Sequence, residues 1–159
     1  MRKLKLYIDT SVISHLLADD APDKMADTIR LWDKFVDGKY EVFISAVVTD
    51  EIKRCAEPKL SNMLEKMRLV DIQILDETDE VKTLAAEYIK NGILKEKSLA
   101  DCLHIAYAVI NSCDVIVSWN FKHIVNLKTI DKVKIVNAIN RYREISIIPP
   151  TMLVEGEEE

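Results

Sequence analysis

The sequence predicts an α/β domain built on a mostly parallel sheet. Short β-rich apolar runs alternate with segments of helical period along the whole body of the chain. Its 159 residues, 48% hydrophobic and 31% charged, suit one domain with a real core. No internal repeat, low-complexity segment or linker interrupts the body.

The elements follow in order. Lys3–Ile8 reads as a strand, and Ser11–Leu17 as a short helix with Ser11 at its N-cap. Pro22 starts a second helix, whose apolar positions Met25, Ile29, Trp32 and Val36 step by helical intervals until Gly38 stops it. Tyr40–Ala46 alternates and is β-rich, giving strand two. Val47–Arg54 and Pro58–Met67 read as helices, and Asp71–Leu75 as a short strand. Asp79–Lys90 is helical, with Val81, Leu84, Ala85 and Tyr88 on one side. Ser98–Asn111 is a helix rich in Ala, Leu and Ile, and Asp114–Trp119 an apolar strand. Ile130–Tyr142 is helical, and Glu144–Ile148 is a last strand before Pro149 and Pro150. The folded domain is thus expected over 1–150, with 151–159 as an acidic, disordered tail.

Composition excludes several classes. No apolar run reaches the eighteen or so residues of a membrane span. The N-terminus leads directly into a strand without the pattern of a secretion signal, so a cytoplasmic location is expected. Gly38, Gly92 and Gly156 stand alone, and phosphate-cradling loops need clustered glycines. Cys55, Cys102 and Cys113 show no pairing pattern and read as buried small hydrophobes. The net charge is −5, of which Glu155, Glu157, Glu158 and Glu159 supply −4, so the body is neither basic nor strongly acidic.

In parallel α/β sheets, functional groups gather beyond the carboxyl ends of the strands. Asp9 stands there after strand one, in "YIDTSVIS". Glu51 follows strand two in "ISAVVTDEI", Asp101 opens its helix in "LADCLHIAYAV", and Ser118 and Asn120 end strand four in "CDVIVSWNFKHI". Three crowded carboxylates repel one another, and a hard divalent cation relieves that repulsion, so Asp9, Glu51 and Asp101 are candidate ligands for Mg²⁺ or Mn²⁺. Each has a plainer reading. Asp9 can be a turn residue, and Glu51 an exposed helical acid beside Asp50. Asp101 fits a Ser98-x-x-Asp101 capping box, and Asn120 a loop. His104 lies one turn from Asp101, either sharing its metal or merely near it. Lys53, Arg54, Lys122 and Lys128 contact phosphates or form a solvated surface.

These four segments, in this order, resemble the PIN-domain family, including the VapC-type toxins of bacteria and archaea. The resemblance implies a three-layer α/β/α domain with about five strands in a central, mostly parallel sheet. It implies a Mg²⁺- or Mn²⁺-dependent ribonuclease with catalytic residues Asp9, Glu51 and Asp101, with Ser118 as the small hydroxyl of the fourth motif. It implies RNA as substrate, a VapB-like antitoxin and a homodimer. Asn120 departs from the family, where many members carry a fourth acid. Its amide oxygen is expected to bind a metal or orient water without adding charge. Two rivals remain. One is a silent PIN-like module that binds RNA or protein. The other is a phosphatase with Asp9 as nucleophile, a class that usually carries a second acid where Ser11 stands.

Overall fold

The computed structural model describes residues 2–92 and 98–155. The strands are β1 (Lys5–Ile8), β2 (Glu41–Ser45), β3 (Ile72–Leu75), β4 (Val115–Val117) and β5 (Ser146–Ile148). The helices are α1 (Thr10–Ser14), α2 (Pro22–Val36), α3 (Ala46–Lys53), α4 (Lys59–Met67), α5 (Asp79–Lys90), α6 (Leu99–Ile110), α7 (Leu127–Ile139) and α8 (Thr151–Val154), with a 3-10 turn at His15–Leu17. The sheet order is β3-β2-β1-β4-β5 and every pairing is parallel. On one side α2 packs against the 3-10 turn and α8, while α4 meets the same turn; on the other α5 packs against α6 and α7. This is the expected three-layer α/β/α arrangement.

A parallel sheet covered on both faces needs central strands that are apolar throughout. Leu6, Tyr7 and Ile8 of β1 and Ile116 and Val117 of β4 are fully buried. Each large apolar side chain so buried contributes about 1.5–3 kcal/mol. The chain builds outward from β1 through β2 to β3, then crosses back to β4 and on to β5. Strand order therefore reverses between β1 and β4, where a crevice opens beyond the strand ends.

The expected face of α2 needs correction. Ile29 and Val36 are exposed, and the buried stripe is Thr28, Leu31, Trp32 and Phe35. A polar residue lies on that face because its hydroxyl is satisfied: Thr28 donates to Lys24 O at 2.6 Å and accepts from Trp119 Nε1 at 2.8 Å. Helix α7 begins three residues before the expected start, because Asn126 caps it, accepting from Thr129 N at 2.9 Å. The expected tail boundary also moves. Residues 151–154 form α8, Val154 is buried, and Arg30 Nη2 donates to Val154 O at 3.2 Å. Leu153 and Val154 precede the glutamates and pack on the core, which supplies a reason to fold. Residues 156–159 lie outside the described residues. No helix among the described residues is long and apolar enough to cross a membrane.

Asp114, at the start of β4, ties the N-terminal arm to the sheet. Arg2 donates to it through both terminal nitrogens at 2.9 and 3.1 Å, and Lys5 N donates at 2.8 Å. The Arg2 bond, joined by that of Lys5 and the charge of Arg143, holds its carboxyl below the usual range against some desolvation. A depressed carboxyl pKa stabilises the fold above the unfolded value of about 3.9, and that stabilisation is lost as pH falls through the lower, folded value. Asp114→Asn is expected to cost about 1–2 kcal/mol at pH 7. The difference from wild type in urea melts should shrink steadily below about pH 4.

Candidate active site at the strand ends

The pairing of β1 with β4 carries Leu6 opposite Val115 and Ile8 opposite Val117. One step further, Asp9 and Ser118 stand side by side at the switch point. Asp9 is 3% exposed, and Ser118 is fully buried. Ser118 Oγ donates to Asp9 Oδ2 at 2.6 Å, and Ser11 Oγ donates to Oδ1 at 2.5 Å. Both hydroxyls also accept a backbone amide, Ser118 from Asn120 N at 2.9 Å and Ser11 from Trp119 N at 2.8 Å. Each hydroxyl hydrogen is therefore committed to the carboxylate. Asp9 is the N-cap of α1 by position, but its side chain makes no capping bond. The expected cap, Ser11, instead lies inside the helix. Asp9 is thus a buried carboxylate held across the sheet, not a turn residue.

A second chain of bonds orients Glu51. Glu51 Oε1 accepts from His104 Nε2 at 2.8 Å and from Thr10 Oγ1 at 3.1 Å. His104 is 2% exposed, and its Nδ1 meets Tyr7 OH at 2.8 Å, which meets Ser45 Oγ at 2.8 Å. A carboxylate only accepts, so Nε2 carries a hydrogen. With a neutral imidazole, the phenol then donates to Nδ1. Burial pushes the Tyr7 phenol well above its ordinary pKa, so it keeps its proton. The His104 bond is the main cause that holds the Glu51 carboxyl below its ordinary value, against desolvation. Asp50, the neighbouring acid, points outward and is exposed. Both His104 nitrogens are engaged, so it positions Glu51 and is not itself a ligand.

Asp101 lies in the first turn of α6, half-buried. Ser98 is the N-cap residue but makes no side-chain capping bond, so the serine half of the expected capping box is absent. Burial is the largest effect on the Asp101 carboxyl and raises its pKa; His104 and His123 pull it down, while Asp9 and Glu51 push it up. Hydrogen bonds link the three carboxylates at one end of the sheet: Asp101 to Asn120, Asn120 N to Ser118, Ser118 to Asp9, and Thr10, next to Asp9, to Glu51. Among the described residues, no three His, Cys, Asp or Glu side chains form a preassembled metal cluster.

Asn120 differs from its expected role. His123 N donates to Asn120 Oδ1 at 2.9 Å, which fixes the oxygen end of the amide. Its Nδ2 is thereby turned to Asp101 Oδ1, at 3.3 Å. Asn120 offers a donor to Asp101 rather than an oxygen to a cation. Sequence reasoning also missed Tyr7, Thr10, Ser11 and Ser45 as site residues. The available signal was a run of hydroxyls at strand ends, in "YIDTS", "FISA" and "IVSW". Lys53, Arg54, Lys122 and Lys128 are all exposed. Cys102 and Cys113 are buried as expected, and burial pushes both thiols up to about 12.

Fold and side-chain arrangement together define a class: parallel α/β domains that bring carboxylates to the switch point of the sheet. Within that class the chain belongs to the PIN-domain family, whose model matches residues 6–123. Among solved structures, it is similar to VapC20 of Mycobacterium tuberculosis, described as a sarcin-ricin loop cleaving toxin. The TM-score is 0.54 at 19% identity, over 70% of this chain and 86% of that one. It is also similar to VapBC2 of Rickettsia felis, solved bound to a DNA fragment from their promoter. There the TM-score is 0.55 at 15% identity, over 92% of this chain and 98% of that one. At these identities the likeness is one of fold. Segments of the RNA-directed RNA polymerase L of two viruses also match. Cupixi mammarenavirus gives 30% identity over 82 residues and Oliveros mammarenavirus 28% over 82. The chain spans 4% of each polymerase's length.

The paired hydroxyls make a direct prediction. Ser118→Ala should destabilise the protein by about 1–3 kcal/mol, because it leaves an oxygen of a buried carboxylate without its donor. In urea unfolding, the Ser118→Ala and Asp9→Asn losses should be non-additive by about 0.5–3 kcal/mol. Strictly additive losses would mean that the two side chains act independently.

Proposed function

We propose that the chain is a metal-dependent endoribonuclease, acting as the toxin of a toxin–antitoxin pair. The observation that carries this reading is the convergence of Asp9, Glu51 and Asp101 on the switch point through linked hydrogen bonds: Asp101 to Asn120, Asn120 N to Ser118, Ser118 to Asp9, and Thr10, next to Asp9, to Glu51. Such a site is relieved by a cation. Its donors are hard oxygens, and Mg²⁺ commonly binds through one or two carboxylates while keeping several waters. Asp9 and Asp101 are the proposed direct ligands. When bound, Mg²⁺ or Mn²⁺ neutralises charge developing on a phosphodiester and lowers the pKa of a bound water. Ser118 and Ser11 hold Asp9 in place for this. His104 and Thr10 hold Glu51 through Oε1 alone, so Oε2 retains its capacity to accept a proton from the attacking water. The likeness in fold to VapC20 and VapBC2 supports an RNA substrate and a VapB-like antitoxin. Growth arrest on induced expression that Asp9→Asn relieves would support the toxin role.

Asn120 favours a second reading, a module that binds RNA or a protein partner without cutting. It supplies a donor where a fourth carboxylate would supply charge. Purified protein incubated with RNA in Mn²⁺ and in chelator separates the two. Cleavage should require metal and fall by more than about 100-fold in Asp9→Asn, beyond the loss typical of outer-shell partners. Mn²⁺ at about a hundred times its Kd should stabilise wild type by about 2.7 kcal/mol and leave Asp9→Asn unmoved. Clean protein that binds RNA but never cuts it would favour the silent module.

A further test uses Asn120→Asp, which sets a carboxylate where an amide now lies 3.3 Å from Asp101. Like charges so close disfavour joint ionisation, by about 1–4 kcal/mol between water and a protein surface. The variant is expected to melt lower without metal and to reach half-maximal cleavage at less Mn²⁺ than wild type. An unchanged midpoint would show that Asp101 is not a ligand.

A further inference from the structure

Beside the acidic cluster lies a feature that metal binding does not use. Phe121 is 45% exposed, the residue directly after Asn120. It is nevertheless held firmly. Its ring meets Trp119 edge-on at 6.2 Å, and Trp119 is itself 6% exposed, fixed through Nε1 to Thr28 and packed against the His15 ring at 5.7 Å. The Phe121 backbone donates to Trp119 O at 2.9 Å and accepts from Asn126 Nδ2 at 3.1 Å. Lys24, in the first turn of α2, places its Nζ 5.7 Å from the Trp119 ring centroid and 5.3 Å from that of Phe121.

We propose that Phe121 and Lys24 form a stacking shelf for one unpaired base of an RNA strand whose neighbouring phosphate enters the acidic cleft. This rests on the nuclease reading above and adds a subsite to it. Asn120 reaches Asp101, and Phe121 follows it directly, so the shelf and the contact to Asp101 hang from consecutive residues with Cα atoms about 4 Å apart. A base on the shelf therefore brings its strand beside the acidic residues. An aromatic face held rigid in water matches the flat face of any base, and the ammonium beside it matches the adjoining phosphate. In a duplex both faces of each base are already stacked, so the shelf admits only single-stranded or extruded bases. The Lys24 ammonium also offsets part of the repulsion between a polyanion and the carboxylates behind it.

The test is fluorescence anisotropy with a labelled single-stranded RNA, alone and annealed to its complement, alongside KM and kcat for cleavage. Phe121→Ala should raise the single-strand Kd about tenfold, within the range for one base on one aromatic ring. Phe121→Leu should lose as much, because it keeps apolar bulk without a ring. Phe121→Trp should bind as wild type or more tightly, and Lys24→Gln should flatten the salt dependence. Binding to the annealed RNA should be insensitive to all of these. Melting curves should show the Phe121 variants folded with at most a small loss of stability, since the ring is 45% exposed and its ring contacts are to Trp119 and Lys24. If wild type cleaves but Phe121→Ala keeps the same KM and Kd, the shelf is overturned and the nuclease reading stands. If wild type binds and never cleaves while the series behaves as stated, the shelf stands without the nuclease. A Phe121→Leu that binds as wild type does would mark the ring as an apolar contact and overturn stacking.

Discussion

The hydrogen bond from Ser118 to Asp9 is where fold and site become one problem. It joins the ends of the two central strands at the point where the sheet reverses its order of construction. A buried carboxylate is costly unless its oxygens receive hydrogen bonds. Asp9 receives one from its own helix and one from β4, so the cost is met only when β1 and β4 are in register. A slip of one residue would turn Ser118 to the opposite face and leave Asp9 unmet. The backbone amides of Trp119 and Asn120 then hang from the same two hydroxyls, which fixes the start of the loop that carries Asn120 and Phe121.

The architecture was legible in the sequence because period-2 and period-3.6 segments alternate cleanly. The α5 stripe of Val81, Leu84, Ala85 and Tyr88 is buried as its spacing predicts. What failed were faces and ends settled by side-chain hydrogen bonds between distant segments. Thr28 is buried on α2 because Trp119 reaches it, and no local pattern announces that contact. The start of α7 was set by Asn126, a capping residue hidden inside a loop-like stretch. That Asp9, Glu51 and Asp101 lie at one edge was legible because topology sends strand ends there. Their supports were not: His104 sits on an apolar helix, where a buried histidine and an idle one look alike. The position of Asn120 beyond the end of β4 was legible, but which end of its amide faces Asp101 depends on the His123 amide.

The two networks divide the carboxylates by environment. Glu51 is held charged by an imidazole, while Asp101 is burdened by burial and by its neighbours. The Ser45–Tyr7–His104–Glu51 line runs from the end of β2 through β1 and α6 to α3, so three separate segments of chain fix the position of one oxygen. The amide of Asn120 performs a similar service for Asp101, with a hydrogen in place of a charge. A site built this way is stiff in its anchored parts.

The central position of β1 also governs how the molecule must be born. Asp9 is synthesised before its partner Ser118, which lies 109 residues further on. Until β4 arrives, β1 is an open apolar edge, and β1, β2 and β3 form a half-sheet with one unsatisfied side. Contacts of such long sequence separation form late and slowly. The Asp9–Ser118 contact therefore cannot form until β4 has been made and docked against β1. Until then the open edge of β1 is exposed to aggregation or capture by chaperones.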